Sequence, residues 1–308
     1  MLFNKNGNGS LELQLLTGNF AAANNYDAVE SEVLDATRTV RGLVGNAVVS
    51  RAELAYAAGT DDALTTLVRT AVAILATARY SRSNLVTHED SGSKVRVDEN
   101  EKVPWEWMID RDERAQQDRW YRALDALYAW LDTNQPTEWT GSDQYRRSRK
   151  SIIRSLSDFE AVYPTDGSYY VYHMLQNLVI ECQPRLKKLI GDEKWALITA
   201  ATVADDDLEL LQICQRWAVL SALVKAVRRW SLEVFPLAIV RRFCPSYQGG
   251  RSKSAATREE MDAYVASLED QIGDAQEEIA ELLADGNPWE DHDPQPRNHP
   301  SNKFFTAQ

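Results

Sequence analysis

Four histidines, three cysteines and two runs of carboxylates are the groups in this chain whose types could support catalysis or hold a metal. His88, His173, His292 and His299 lie far apart, and none has a second His, Cys or carboxylate at metal-ligand spacing on a firm element. His292 stands in "EDHDP", a composition that reads either as a weak cation site or as a solvated segment. His173 sits among Tyr169, Tyr170 and Tyr172, which points to packing. Cys182, Cys214 and Cys244 are odd in number and widely spaced, so they read as buried reduced thiols. Asp110, Asp112 and Glu113 form one acidic run, and Asp205, Asp206 and Asp207 form another. The second opens a helix, where acids satisfy free backbone amides and oppose the helix dipole. "GNGS" at residues 7–10 lacks the lysine and the strand–loop–helix context of a phosphate loop, and no nucleophile-elbow spacing occurs. The expectation is a protein that is not an enzyme and that takes no cofactor or metal.

The charged and aromatic residues point instead to contact with other macromolecules. Arg146, Arg147, Arg149, Lys150 and Arg154 form one basic group. Arg228, Arg229, Arg241, Arg242, Arg251 and Lys253 form another, with Tyr145, Trp230 and Tyr247 interleaved. Against a net charge of −12 such groups read as solvated helix faces, as docking sites for an acidic neighbour, or as nucleic-acid contacts. Residues 259–285 hold ten Asp or Glu and no Lys or Arg, among them Glu277, Glu278 and Glu281, so this last helix is an obvious mate for the basic groups. Opposite charge on two surfaces would help copies dock head to tail. Of nine tryptophans, Trp105, Trp107, Trp139 and Trp289 fall near loops, where exposed indoles anchor interfaces.

The elements that must position these residues are mostly helical. Residues 61–83 repeat apolar positions at three-and-four spacing (Leu64, Leu67, Val68, Ala71, Ile74, Leu75, Ala78), which predicts a helix from Asp61 or Asp62 to about Ser83. Helices are also expected over residues 27–40, over 50–58 with Ser50 and Glu53 as a capping box, over 108–131 and over 143–156. In the second half they are expected over 170–180, 184–189, 206–235 and 257–284. Residues 85–103 and 237–243 read as a β-like loop and a short strand. The Asn- and Gly-rich start reads as an extended arm holding one strand, or as a loose terminus. The Pro-rich end cannot be a regular helix. No run reaches the roughly 20 apolar residues of a membrane span, and "MLFNKNGNGS" has no apolar signal core, so synthesis in the cytosol is expected.

"DDALTTLVRTAVAILATARYSR" aligns by element with "DDLELLQICQRWAVLSALVKAVRR", each opening on acids and closing on basic residues. The expected fold class is therefore mainly α. Two similar helical bundles would arise by internal duplication, each with a small β-hairpin or β-loop insertion, plus extended termini. The divisions would be an N-terminal arm (1–25), a first unit (26–133), a linker (134–165), a second unit (166–285) and an extended tail (286–308).

"GLVGNAVVSRAELAYAAG", "LTTLVRTAVAILATARY" and "RDERAQQDRWYRALDALYAWL" together resemble head–tail connector proteins of tailed bacteriophages, most of all the uncharacterised connector-like proteins of Bacteroidetes phages and prophages. "CQPRLKKLIGDEKWALI" and "LELLQICQRWAVLSALVKAVRR" resemble the same pattern again, for about two thirds of the chain in all. The resemblance implies a structural virion protein at the neck, made in the host cytoplasm. It would form a homo-oligomeric ring of about twelve subunits. Its partners would be the portal, the tail or a further connector protein and, transiently, packaged DNA, with no membrane. An acidic lumen would let DNA slide. The alternative is a soluble helical protein-binding module or host-interaction protein.

Overall fold

The computed structural model describes residues 1–21, 23–60, 62–84, 87–89, 92–94, 105–200, 202–229 and 258–285. Its first half is organised by α4 (Ala63–Ser83), the helix announced by the three-and-four apolar spacing. Asp62 caps it, its Oδ1 accepting from the Thr65 N–H at 2.7 Å. Alanines at 71, 73 and 76 are fully buried and let neighbouring helices approach closely. Those neighbours are α1 (Gly9–Thr17), α2 (Glu30–Val44), α3 (Asn46–Ala58) and α5 (Glu106–Asn134). Together with Trp139 they close one hydrophobic cluster.

Three short helices follow: α6 (Thr137–Thr140), α7 (Asp143–Ser148) and α8 (Leu156–Val162). A turn with Asp166 at φ 56° and Gly167 at φ 78° then reverses the chain into α9 (Tyr169–Ile198). The α9 helix runs through Pro184 and kinks at Gly191, where φ 83° and ψ 164° are non-helical. Next come α10 (Asp205–Arg229) and α11 (Arg258–Asp285). By length and composition α10 could cross a bilayer. Its apolar run is accounted for by packing, because α9 and α11 flank it and Leu210, Cys214, Trp217, Leu220 and Leu223 are buried in a second cluster.

Several expectations need correction. The fold is not a pair of similar bundles with β insertions; the described residues are almost wholly helical. The strands among them are β1 (Thr87–Glu89) and β2 (Gly92–Lys94), six residues that pair antiparallel and are too few to form a layer. The second half has no counterpart among the described residues, and the expected strand at 237–243 lies outside them. The halves also differ in build. Four helices surround α4, whereas α8, α9 and α11 surround α10.

The N-terminal residues are not an extended arm either. Leu2, Phe3 and Leu13 are buried, and Arg69 on α4 ties the segment down. Its Nε donates to the Leu2 carbonyl at 3.0 Å, and its Nη2 pairs with Glu12 at 2.7 Å. Its guanidinium also covers the Phe3 and Tyr56 rings. Gly9 is required where α1 meets Tyr26, because a Cβ there would lie 2.2 Å from the ring. Ser50 is not an N-cap but lies within α3, which begins four residues earlier, after Gly45 at φ 96°. The expected tail at 286–308 lies outside the described residues.

Two substitutions probe this core. Gly9→Ala is expected to overpack the α1–Tyr26 contact and to cost about 1–3 kcal/mol in urea denaturation. Asp62→Ala is expected to cost about 1 kcal/mol near neutral pH by uncapping α4. Burial alone would raise the Asp62 carboxyl. The hydrogen bonds from Thr65 and the charge of Arg51 outweigh it and hold the group below its ordinary 3.8. Its contribution is thus complete above that value and disappears as pH falls through the lower folded value. Denaturation curves of wild type and variant should converge in that acidic range.

Candidate functional site

The α5 helix has two working faces. Leu124, Leu127 and Leu131 point into the first cluster and are fully buried. Asp125, Tyr128 and Asp132, at three-and-four spacing, meet the start of α9. The Asp125 Oδ1 accepts from the Tyr170 N–H at 2.9 Å and from the Ser168 hydroxyl at 3.1 Å, so a side chain of one half caps a helix of the other. Burial pushes this carboxyl up, against the pull of those two hydrogen bonds.

Asp132 joins two rings. Its Oδ1 accepts from Trp139 Nε1 at 2.9 Å, and its Oδ2 lies 3.2 Å from His173 Nε2. The imidazole stacks on Tyr128 at 4.3 Å and meets Trp139 and Tyr172 edge-on. The Tyr128 hydroxyl donates to the Leu43 carbonyl at 2.9 Å. A His–Asp pair is part of many catalytic triads, but here rings enclose the imidazole, and no Ser or Cys side chain hydrogen-bonds to it among the described residues. What this arrangement does is join the two hydrophobic clusters. Among the described residues no group of three His, Cys, Asp or Glu could hold a metal. Cys182 and Cys214 are free and buried, and burial pushes the Cys214 thiol up to about 12.

An open cleft of about 540 Å³ lies between α4 and the first half of α5. Leu75, Ala78, Met108, Ile109 and Trp120 supply its apolar lining, and Arg79, Arg82, Asp112 and Glu113 supply its charges. Arg82 Nε bonds Glu113 Oε1 at 2.9 Å and ties the two helices together. Met108 is 43% exposed, and Trp105 and Trp107, just before it, are 70% and 53% exposed.

Of the residues singled out from sequence, Trp105 and Trp107 therefore stand at a surface and beside a cleft. Trp139 does not. It is 0% exposed, because its indole fills the junction and its N–H is taken by Asp132. Arg146, Arg147 and Arg149 are exposed on and just after α7, with Arg149 over the Tyr145 ring. The second basic group meets the acidic helix within one chain. Arg228 pairs with Glu269 at 2.7 Å, and Arg216 pairs with Glu278. Arg229 and Lys225 both pair with Glu181, holding that carboxyl down at about 2. Glu277 and Glu281 are exposed on α11. Arg241, Arg242 and Trp289 lie outside the described residues. Asp125, Asp132 and Met108 were not singled out. The available signal was a polar and aromatic stripe beside the leucine stripe of α5.

A family of unknown function (DUF6712) matches residues 25–149. The matched stretch covers α2 to α7 and ends just before Ile152, where the second hydrophobic cluster begins. No curated protein and no solved structure matches the chain.

The junction makes a direct prediction. Asp132→Ala removes the acceptor of a fully buried indole and of His173 together, and is expected to cost about 1–3 kcal/mol in urea denaturation. Asp132→Asn retains one carbonyl acceptor and should cost less. Equal stability of wild type and Asp132→Ala would show that the junction does not depend on this carboxylate.

Proposed function

We propose that this chain is a helical protein-binding module whose α4–α5 cleft receives an amphipathic helix of a partner. The observation that carries this reading is the exposure of Trp105, Trp107 and Met108 in sequence, beside an apolar cleft with a charged rim. Large apolar side chains that stay in water without a structural duty mark interaction surfaces, and tryptophan is prominent among binding hot spots. An apolar floor with mixed charges at its edge suits a helix with apolar residues at i, i+3 or i+4 and i+7. A connector subunit of a phage neck is the narrower form of this proposal. In that form the bound partner is a neighbouring copy in a ring, or the portal. The resemblance in sequence supports it, while the helical fold alone supports only the broader reading.

Helical peptides selected by display on the intact chain are expected to show that apolar spacing. They should lose affinity by about ten-fold or more for a W107A/M108A double variant in titration calorimetry, the effect of removing one or two hot-spot side chains. Peptides that bind the double variant equally well would rule out the cleft as the docking site. Closed rings in electron micrographs of the wild type, broken by the same double variant, would identify the partner as a second copy.

A further inference from the structure

A second cavity, of about 250 Å³, lies where α9, α10 and α11 meet. Arg185, Lys188, Leu189, Trp217 and Gln276 line it. Its volume is about eight times the share of one water in the liquid, which suits a small group and not a nucleotide. Arginine, lysine and the indole N–H only donate hydrogen bonds, and the glutamine amide adds two donors beside its one carbonyl acceptor. No carboxylate lines this cavity, on a chain of net charge −12.

The cations nearby are otherwise occupied. Lys187, Lys194, Arg216, Lys225, Arg228 and Arg229 each have a carboxylate within 4.0 Å. Arg185 and Lys188 have none among the described residues. The Arg185 guanidinium instead lies over the Trp217 ring, 5.8 Å from its centroid. Trp217 is 1% exposed, and its Nε1 is buried with no hydrogen-bond partner among the described residues. A buried donor without an acceptor is costly and rare in folded proteins.

We infer that this cavity is a binding site for a small oxyanion, either a phosphate group or a carboxylate. Arg185 and Lys188 supply the charge that draws the anion in. Its arrival pulls the guanidinium from the indole face and gives the Trp217 N–H the acceptor it lacks. A competing role for the two cations exists. They stand in the last turns of α9 before the Gly191 kink, where positive charge offsets the helix dipole.

The test is a titration of the full chain, labelled with nitrogen-15, with inorganic phosphate and separately with acetate, at constant ionic strength. The Trp217 indole signal is the one missing from a W217F spectrum. We expect it to shift saturably, and we expect R185Q/K188Q, which changes two exposed side chains, to abolish the shift. Saturation by phosphate alone assigns the site to phosphate, and saturation by acetate as well assigns it to carboxylates; both uphold it. If W217F does not fold, urea midpoints serve. Ligand should raise the wild-type midpoint and leave that of R185Q/K188Q unmoved. No saturable shift, or an equal ligand effect on wild type and double variant, overturns the site. A double variant that is merely less stable, next to a wild type that does not respond to ligand, assigns the cations to the helix dipole and also overturns it.

Discussion

The carboxylate of Asp132 is the point on which the two halves of this chain depend. It lies on α5, a helix whose leucines belong to the first cluster, and it accepts from a ring of the short α6 helix while lying within hydrogen-bond distance of a ring of α9. Each partner sits among aromatic faces, where a hydrogen bond is stronger and an orphaned polar group more costly than in water. Asp125, seven residues earlier and two helical turns away, ties the Tyr170 amide in the first turn of α9 to the same surface. Two residues on one helix thus anchor the start of α9. The rings of Tyr128, Trp139, Tyr172 and His173 fill the space between them.

Some of the charges read as intermolecular are instead spent inside the chain. The α11 helix, rich in acids and without a basic residue between Glu259 and Asp285, would repel itself without cations alongside. Arg216 and Arg228 of α10 supply them, while Arg229 and Lys225 turn to Glu181 on α9. These pairs are mostly exposed, so each adds little to stability. Their effect is on register: they fix how α11 lies along α10 above the apolar contacts. The cleft between α4 and α5, close to the exposed Trp107, is lined by neither group of pairs.

Legibility in the sequence followed the range of the interaction. The α4 helix was readable because its signals are local: a three-and-four apolar period and an acid just before the first turn. The α1 helix was not, because a short apolar run from Leu11 to Leu16 fits a strand as well as a helix, and what decides it is docking onto Arg69 and Tyr26. The start of α3 was misplaced because Ser50 and Glu53 spell a capping box, while the backbone begins its helix at a glycine with positive φ. The pairing of Asp132 with His173 spans 41 positions and has no signature in spacing. Trp105 and Trp107 could be marked as surface residues from their place near a proline. Trp139 carries the same local signal and is buried, since burial is decided by elements that sequence neighbours do not reveal.

The flanking of α10 by α9 and α11 also has a consequence in time. A ribosome delivers α10 before α11, and residues 230–285 must be added before the second flank is complete. At about 5–20 residues per second that takes about 3–11 s. During this interval a helix long and apolar enough to cross a bilayer has one side bare. Among the described residues, the nascent chain therefore passes through a stage in which α8 and α9 cover α10 and α11 does not. Exposed apolar surface of this kind makes a partly synthesised chain prone to aggregation until the remaining helix arrives.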